Sequence, residues 1–165
     1  QAAVSTQNHI AVYLPAVDDK VLIQQFSKIK KVQWQIFSKR VKKLKTIGNV
    51  SIQPINNEHW IKSVSSAIGT IMSAGFEGPA EALFMGKKLM VMPIIGQYEQ
   101  LCNATALQQM GVPVFRKINY QFEGLVKDWL YRQDPIQVDY PDETAQIVQS
   151  IFENEIGLAN TQLAF

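Results

Sequence analysis

Cysteine occurs once in these 165 residues, at Cys102, so no disulfide can form within the chain. A lone thiol fits a reducing compartment, and the expected place for it is as a small buried hydrophobe within a helix. Histidine occurs only as His9 and His59. Nowhere do His, Cys and carboxylates fall at metal-ligand spacing, so neither a metal nor a cofactor is expected. The sequence has no P-loop and no nucleophile elbow, which removes two common routes to nucleotide and ester hydrolysis. No apolar run approaches the ~20 residues of a membrane span, and no signal-peptide pattern opens the sequence. The expected setting is therefore cytoplasmic. Internal repeats and low-complexity tracts are missing too. Residues 1–8 (QAAVSTQN) read as a linker, 9–157 as one domain and 158–165 as a tail.

What is present is ordinary in bulk and uneven in detail. Apolar residues make up 47% and charged residues 18%, values of a globular domain able to bury a full core. Net charge is only +2, yet eight of the sixteen basic residues crowd into one span: Lys28, Lys30, Lys31, Lys39, Arg40, Lys42, Lys43 and Lys45. No aromatic interleaving or nucleic-acid motif accompanies them, so nucleic acid is not an expected partner. The leading expectation is a solvated helix face and a loop between strands. The remaining one is peripheral contact of span 28–45 with an anionic membrane, which would set the protein at its inner face.

Apolar runs and turn signals alternate along the chain. His9–Pro15 reads as a buried strand, Val21–Ile29 as a helix, and Val32–Phe37 and Asn49–Ile55 as strands, with a helix over Glu58–Ala67. Thr70–Ala74 is strand-like. Pro79–Met85 is a helix ended by Gly86, and Leu89–Ile95 an unalternating apolar strand of the kind buried on both faces. Glu99–Met110 is a helix closed by Gly111, followed by strand Val112–Phe115 and helices over Phe122–Tyr131 and Glu143–Glu155. Strands alternating with helices over short connections define an α/β fold built on a doubly wound parallel sheet. Trp34 and Trp129 are expected in its core, with Met72, Met85, Met90 and Met92 filling the space between sheet and helices.

The chemistry concentrates in Ser73–Ala104, SAGFEGPAEALFMGKKLMVMPIIGQYEQLCNA. Two strands there deliver two loops to one sheet edge, where α/β folds bind ligands. Gly75-Phe76-Glu77-Gly78 offers backbone amides before a helix opening on Pro79, suited to a phosphate. Glu81 follows one turn into that helix, while Glu99 and Gln100 begin the next helix with Asn103 a turn further on. A carboxylate and a carboxamide suit sugar hydroxyls. Taken singly, each has a plain structural role: Gly-Pro starts helices, and first-turn acids favour the helix dipole.

Together they form a pattern. Gly75, Glu81, Gly86-Lys87-Lys88, Leu89–Pro93, Glu99-Gln100 and Asn103-Ala104 resemble the donor-binding half of GT-B glycosyltransferases, the branch of UDP-glycosyltransferases and MurG-like proteins. The match is close over 49–114. The resemblance implies the Rossmann-like, C-terminal half of a GT-B fold. It implies that Gly75, Phe76, Glu77 and Gly78 meet the donor diphosphate and that Glu81 binds the ribose. Glu99, Gln100 and Asn103 would hold the transferred sugar, and Pro54, Ile55 and Asn56 would border the base. The donor implied is a nucleotide-sugar, of UDP type, passing a hexosyl group to an acceptor.

Departures from the family are visible. Ser73 and Gly78 stand where plant-type members have histidine and serine, and the tryptophan that faces the base near Ile55 is missing. Retaining relatives carry a Glu-x7-Glu pair ending at the position of Glu81. Its first member would fall at Ser73, which implies the inverting branch. The acceptor-activating base is then expected outside this chain, in an N-terminal acceptor-binding domain or partner chain, leaving the domain inactive alone. His9 and His59 are not assigned to catalysis, and surface capping is the role expected for His59. Two alternatives stay open: a GT-B-fold nucleotide-sugar 2-epimerase, and a non-catalytic half of a split transferase.

Overall fold

The computed structural model describes residues 7–152. Strands β1 (His9–Tyr13), β2 (Gln33–Ser38), β3 (Lys45–Ile47), β4 (Val50–Pro54), β5 (Gly69–Ser73) and β6 (Lys88–Met92) form one sheet in the order β3-β4-β2-β1-β5-β6. Every neighbouring pair is parallel except β3 with β4. The connecting helices are α1 (Asp19–Phe26), α2 (Asn57–Ser66), α3 (Glu77–Phe84) and α4 (Tyr98–Gln109), with α5 (Phe122–Arg132) beyond them. The expected α/β, doubly wound parallel sheet is thus the observed fold, with β3 added antiparallel at its edge.

Alternation along β1 explains the two layers. Ile10 and Val12 pack with Leu22, Phe26, Phe122 and Trp129 beneath α1 and α5, whereas Ala11 meets Val64 of α2 and Ala67 just after it on the opposite face. The α3–α4 side has its own core of Met72, Ala82, Leu83, Leu89, Val91, Ala104 and Leu107. Because both faces are covered, the central strands read as continuous apolar runs. Trp34 and Trp129 are buried as expected, their indole N–H groups donating to the carbonyls of Ile29 (3.0 Å) and Leu89 (3.1 Å).

The chain steps from β1 to β2 through α1, then returns across β1 from β4 to β5 through α2. The direction of winding therefore reverses between β1 and β5. Such a switch point leaves a crevice at the carboxyl ends of the strands.

Several local expectations are corrected. β3 falls inside the lysine-rich span, where a loop was expected. A fully exposed three-residue strand has no apolar alternation to reveal it, and its pairing depends on a two-residue turn with Gly48 at φ +60°. The strand expected over Val112–Phe115 contracts to one bridge, Val91 with Val114, held by Val91 N–H to Pro113 O and Phe115 N–H to Val91 O. Pro113 has no N–H with which to extend the ladder. α3 begins at Glu77, so Pro79 is its third residue rather than its first.

Cys102 is exposed, not buried. The inward side of α4 is carried by Gln100, Ala104 and Leu107, at i, i+4 and i+7, which turns Cys102 outward. The final helix is seen over 144–152, and the rest of the expected Glu143–Glu155 segment lies outside the described residues. So do most of the expected linker and the whole tail; Gln7 and Asn8 are tied to the domain through Ser66 O (2.7 Å) and Lys31 O (3.3 Å). Among the described residues no helix is long and apolar enough to cross a membrane.

Candidate functional site

An open cleft of about 510 Å³ occupies the crevice at the switch point, lined from the ends of β1, β4 and β5 and the first turns of α2 and α3. Gly75, Phe76, Glu77, Gly78, Pro79 and Glu81 form one wall, with Glu99 from the start of α4. The first turn of α3 has no side-chain cap, so its leading amides remain free to bind an anion. Glu81 lies one helical turn beyond Glu77, so both carboxylates face the same space.

The two glycines differ. A methyl group at Gly75 would meet nothing within 4 Å, so the open side of that backbone is left to a ligand. At Gly78 it would come within 2.9 Å of Met72 Sδ. A side chain at Gly78 would therefore require the flexible end of the Met72 side chain on β5 to shift.

The cleft does not gather every expected residue. Ile55 lines it. Pro54 ends β4, and the exposed Asn56 caps α2, its Oδ1 accepting from His59 N–H at 2.8 Å. Gln100 is buried: its Oε1 accepts from Ile94 N–H (3.0 Å) and its Nε2 donates to Gln97 (2.7 Å), bracing the β6–α4 loop. Asn103 Nδ2 donates to Ala74 O at 3.2 Å, tying α4 to the chain just ahead of Gly75. These two polar side chains shape the loops around the cleft instead of lining it.

Two aromatic lining residues escaped the sequence. Tyr13 closes β1 and Trp60 stands in the first turn of α2. Trp60 is braced edge-on against Phe37 (centroids 5.2 Å apart, 89°) and tilted against Tyr13 (5.9 Å). The usable signal was positional: aromatics at the carboxyl end of a parallel strand and just after one face the crevice, not only the core.

Neither histidine lines the cleft. His59 sits at the start of α2 beside Asn56. His9 is buried, with Nε2 3.0 Å from Ser63 O and 3.2 Å from Ser63 Oγ, while Nδ1 has no partner. Burial lowers its pKa below the usual 6.5; the Ser63 carbonyl opposes this and nearby Lys87 adds to it. Because the folded pKa lies below the unfolded one, the unfolded chain takes up the proton first. Stability is full above about pH 7 and falls as pH drops through 6.5 toward the folded value, with a limiting slope of about 1.4 kcal/mol per pH unit. Thermal melts between pH 7.5 and 5 should lose less Tm in His9→Gln than in the wild type; equal losses would remove His9 as the cause.

The free amides, the switch-point crevice and the cleft acids define a Rossmann-like unit of the GT-B glycosyltransferase class. The sequence model of glycosyl transferase family 1 matches residues 1–133, and the chain belongs to that family. A comparison with curated protein sequences returned no significant match. Among solved structures, the spinosyn forosaminyltransferase SpnP is similar, with TM-score 0.56 and 12% identity over 78% of this chain and 36% of its own. SnogD, a glycosyltransferase from Streptomyces nogalater, gives TM-score 0.55 and 14% identity over 90% of this chain and 46% of its own. ALG13 gives TM-score 0.55 and 13% identity over 89% of this chain and 98% of its own. The chain thus spans less than half the length of SpnP and SnogD. The expected GT-B glycosyltransferase domain is confirmed.

Proposed function

We infer that the cleft holds the donor of glycosyl transfer, a nucleotide-sugar of UDP type, in an inverting reaction that moves a hexosyl group. One observation carries this: uncapped amides at the start of α3, Glu81 one turn later and Glu99 from α4 all border a single cleft. The amides of 75–78 would take the diphosphate. Glu81 would accept from two vicinal ribose hydroxyls, and Glu99 from the transferred sugar. The base would lie by Ile55 against the tilted rings of Tyr13 and Trp60, a planar wall supplied by α2 in place of the missing tryptophan. Pro54, Asn56, Gln100 and Asn103 act as positioning residues.

No histidine faces the cleft, and its three carboxylates, Glu77, Glu81 and Glu99, surround the donor. That supports a base for the acceptor from a preceding domain or partner chain, with 9–157 as the donor-binding unit between linker and tail. No cofactor enters this scheme. The exposed thiol of Cys102 supports a reducing, cytoplasmic setting.

Titration of the isotope-labelled chain with UDP to millimolar concentration should give saturable amide shifts concentrated at 55–60, 73–81 and 99. Absence of saturable shifts there would overturn the donor site. Glu77 supplies a sharper check. It is a negative charge in the turn assigned to the diphosphate, so Glu77→Gln should tighten UDP binding about 3-fold, the scale of one screened charge several ångströms away. Weaker calorimetric binding in that variant would place the phosphates elsewhere.

A further inference from the structure

Positive charge in this protein is concentrated by sequence and by fold. Between Asp19 and Glu58 there is no acidic residue, while nine of the sixteen Lys and Arg fall there. That stretch carries a formal +9, leaving seven basic and fourteen acidic residues elsewhere, or −7. It builds α1 after its first residue, Asp19, and all of β2, β3 and β4, so the positive charge gathers on one side of the sheet.

Within the basic half, β3 is the edge of the sheet and is exposed along its length. Lys42, Lys43 and Lys45 have no ion-pair partner among the described residues. Two large apolar side chains sit among them, Leu44 at 60% and Ile47 at 51% exposure. Lys45 and Ile47 share one face of the strand, two residues apart. Lysines alone would suit any polyanion, and edge lysines also deter strand-to-strand aggregation. Exposed Leu and Ile between them suit neither purpose. They fit a surface that is anionic outside and apolar just beneath.

We propose that the Lys42–Ile47 edge docks on an anionic bilayer, lysines at the headgroups and Leu44 and Ile47 at the headgroup–acyl boundary. The concentration of unpaired lysines on this edge turns it toward an anionic surface. The cleft, at the carboxyl ends of the strands and not on the sheet's outer edge, stays open. This contact does not depend on what the cleft binds.

The test is co-sedimentation of the full chain with vesicles of phosphatidylcholine containing 30 mol% phosphatidylglycerol, against pure phosphatidylcholine. Binding is expected only to the anionic vesicles. It should fall steeply from 0.1 to 0.5 M NaCl, as the Debye length shortens from about 10 to about 4 Å. Each lysine is worth about 5-fold in partitioning, so the combined Lys42→Gln, Lys43→Gln, Lys45→Gln variant should lose roughly 100-fold. Leu44→Ser with Ile47→Ser should weaken binding while the salt dependence remains. All of these positions are exposed, and an unchanged Tm checks that each variant stays folded. Equal binding to neutral vesicles, no binding, or binding unaffected by either variant overturns the proposal. So does salt-sensitive binding to duplex nucleic acid that ignores Leu44 and Ile47, or lysine variants that only self-associate.

Discussion

Glu81→Ala is expected to weaken UDP binding about 10- to 150-fold while leaving the melting temperature within a degree or two. The range follows from the ~1.5–3 kcal/mol of hydrogen bonds to a charged acceptor. The side chain is exposed at the cleft, so its removal opens no cavity in the core. The sign matters as much as the size. Glu77 and Glu81 are both acids of α3 facing one cleft, yet neutralising the first should strengthen UDP binding and removing the second should abolish most of it. A site that merely repelled anions would gain affinity in both variants. Isothermal calorimetry on the pair separates these cases, and tighter binding in Glu81→Ala would end the ribose assignment.

Trp34→Ala should cost about 3–5 kcal/mol, a large share of the 5–15 kcal/mol that holds a domain together. Trp34 is fully buried, stacked on Phe26 at 4.4 Å, and Phe26 in turn meets Phe122 at 5.6 Å. One ring therefore links β2, α1 and α5. Its loss should lower the Tm by roughly 10 °C or more, measured by circular dichroism. Trp60→Ala is the contrast. Trp60 is half-buried on the cleft wall, so its removal should cost less stability and more nucleotide affinity. A Tm loss under 3 °C for Trp34→Ala would show that this aromatic chain is not a keystone of the layer.

The strands beneath the cleft were legible because burial on both faces demands unbroken apolar runs, as in IAVY of β1 and LMVM of β6. The helices were legible through periodicity, and the structure adds their caps, Asp18 for α1 and Asn56 for α2. Elements at the margin were not. β3 owes its strand to the partner across a turn, and Val112–Phe115 lost its ladder to Pro113, so neither outcome is written in local pattern. Cys102 followed the same rule, since helical phase, set by which residues of α4 meet the sheet, decides which way a side chain points.

At the cleft the division is similar. Residue types and spacing alone determined that Ser73–Ala104 brings free amides and acids to one sheet edge, because strand, turn and helix are local choices of the chain. Only the tertiary structure decided which of those groups share a space. Glu77, Glu81 and Glu99 converge, whereas Gln100 and Asn103 turn away to brace loops. Tyr13 and Trp60 arrive from 60 and more residues and from about 15 residues upstream of Gly75. A cleft at a switch point is assembled from strands distant in sequence, and pattern along the chain does not record which distant strands become neighbours.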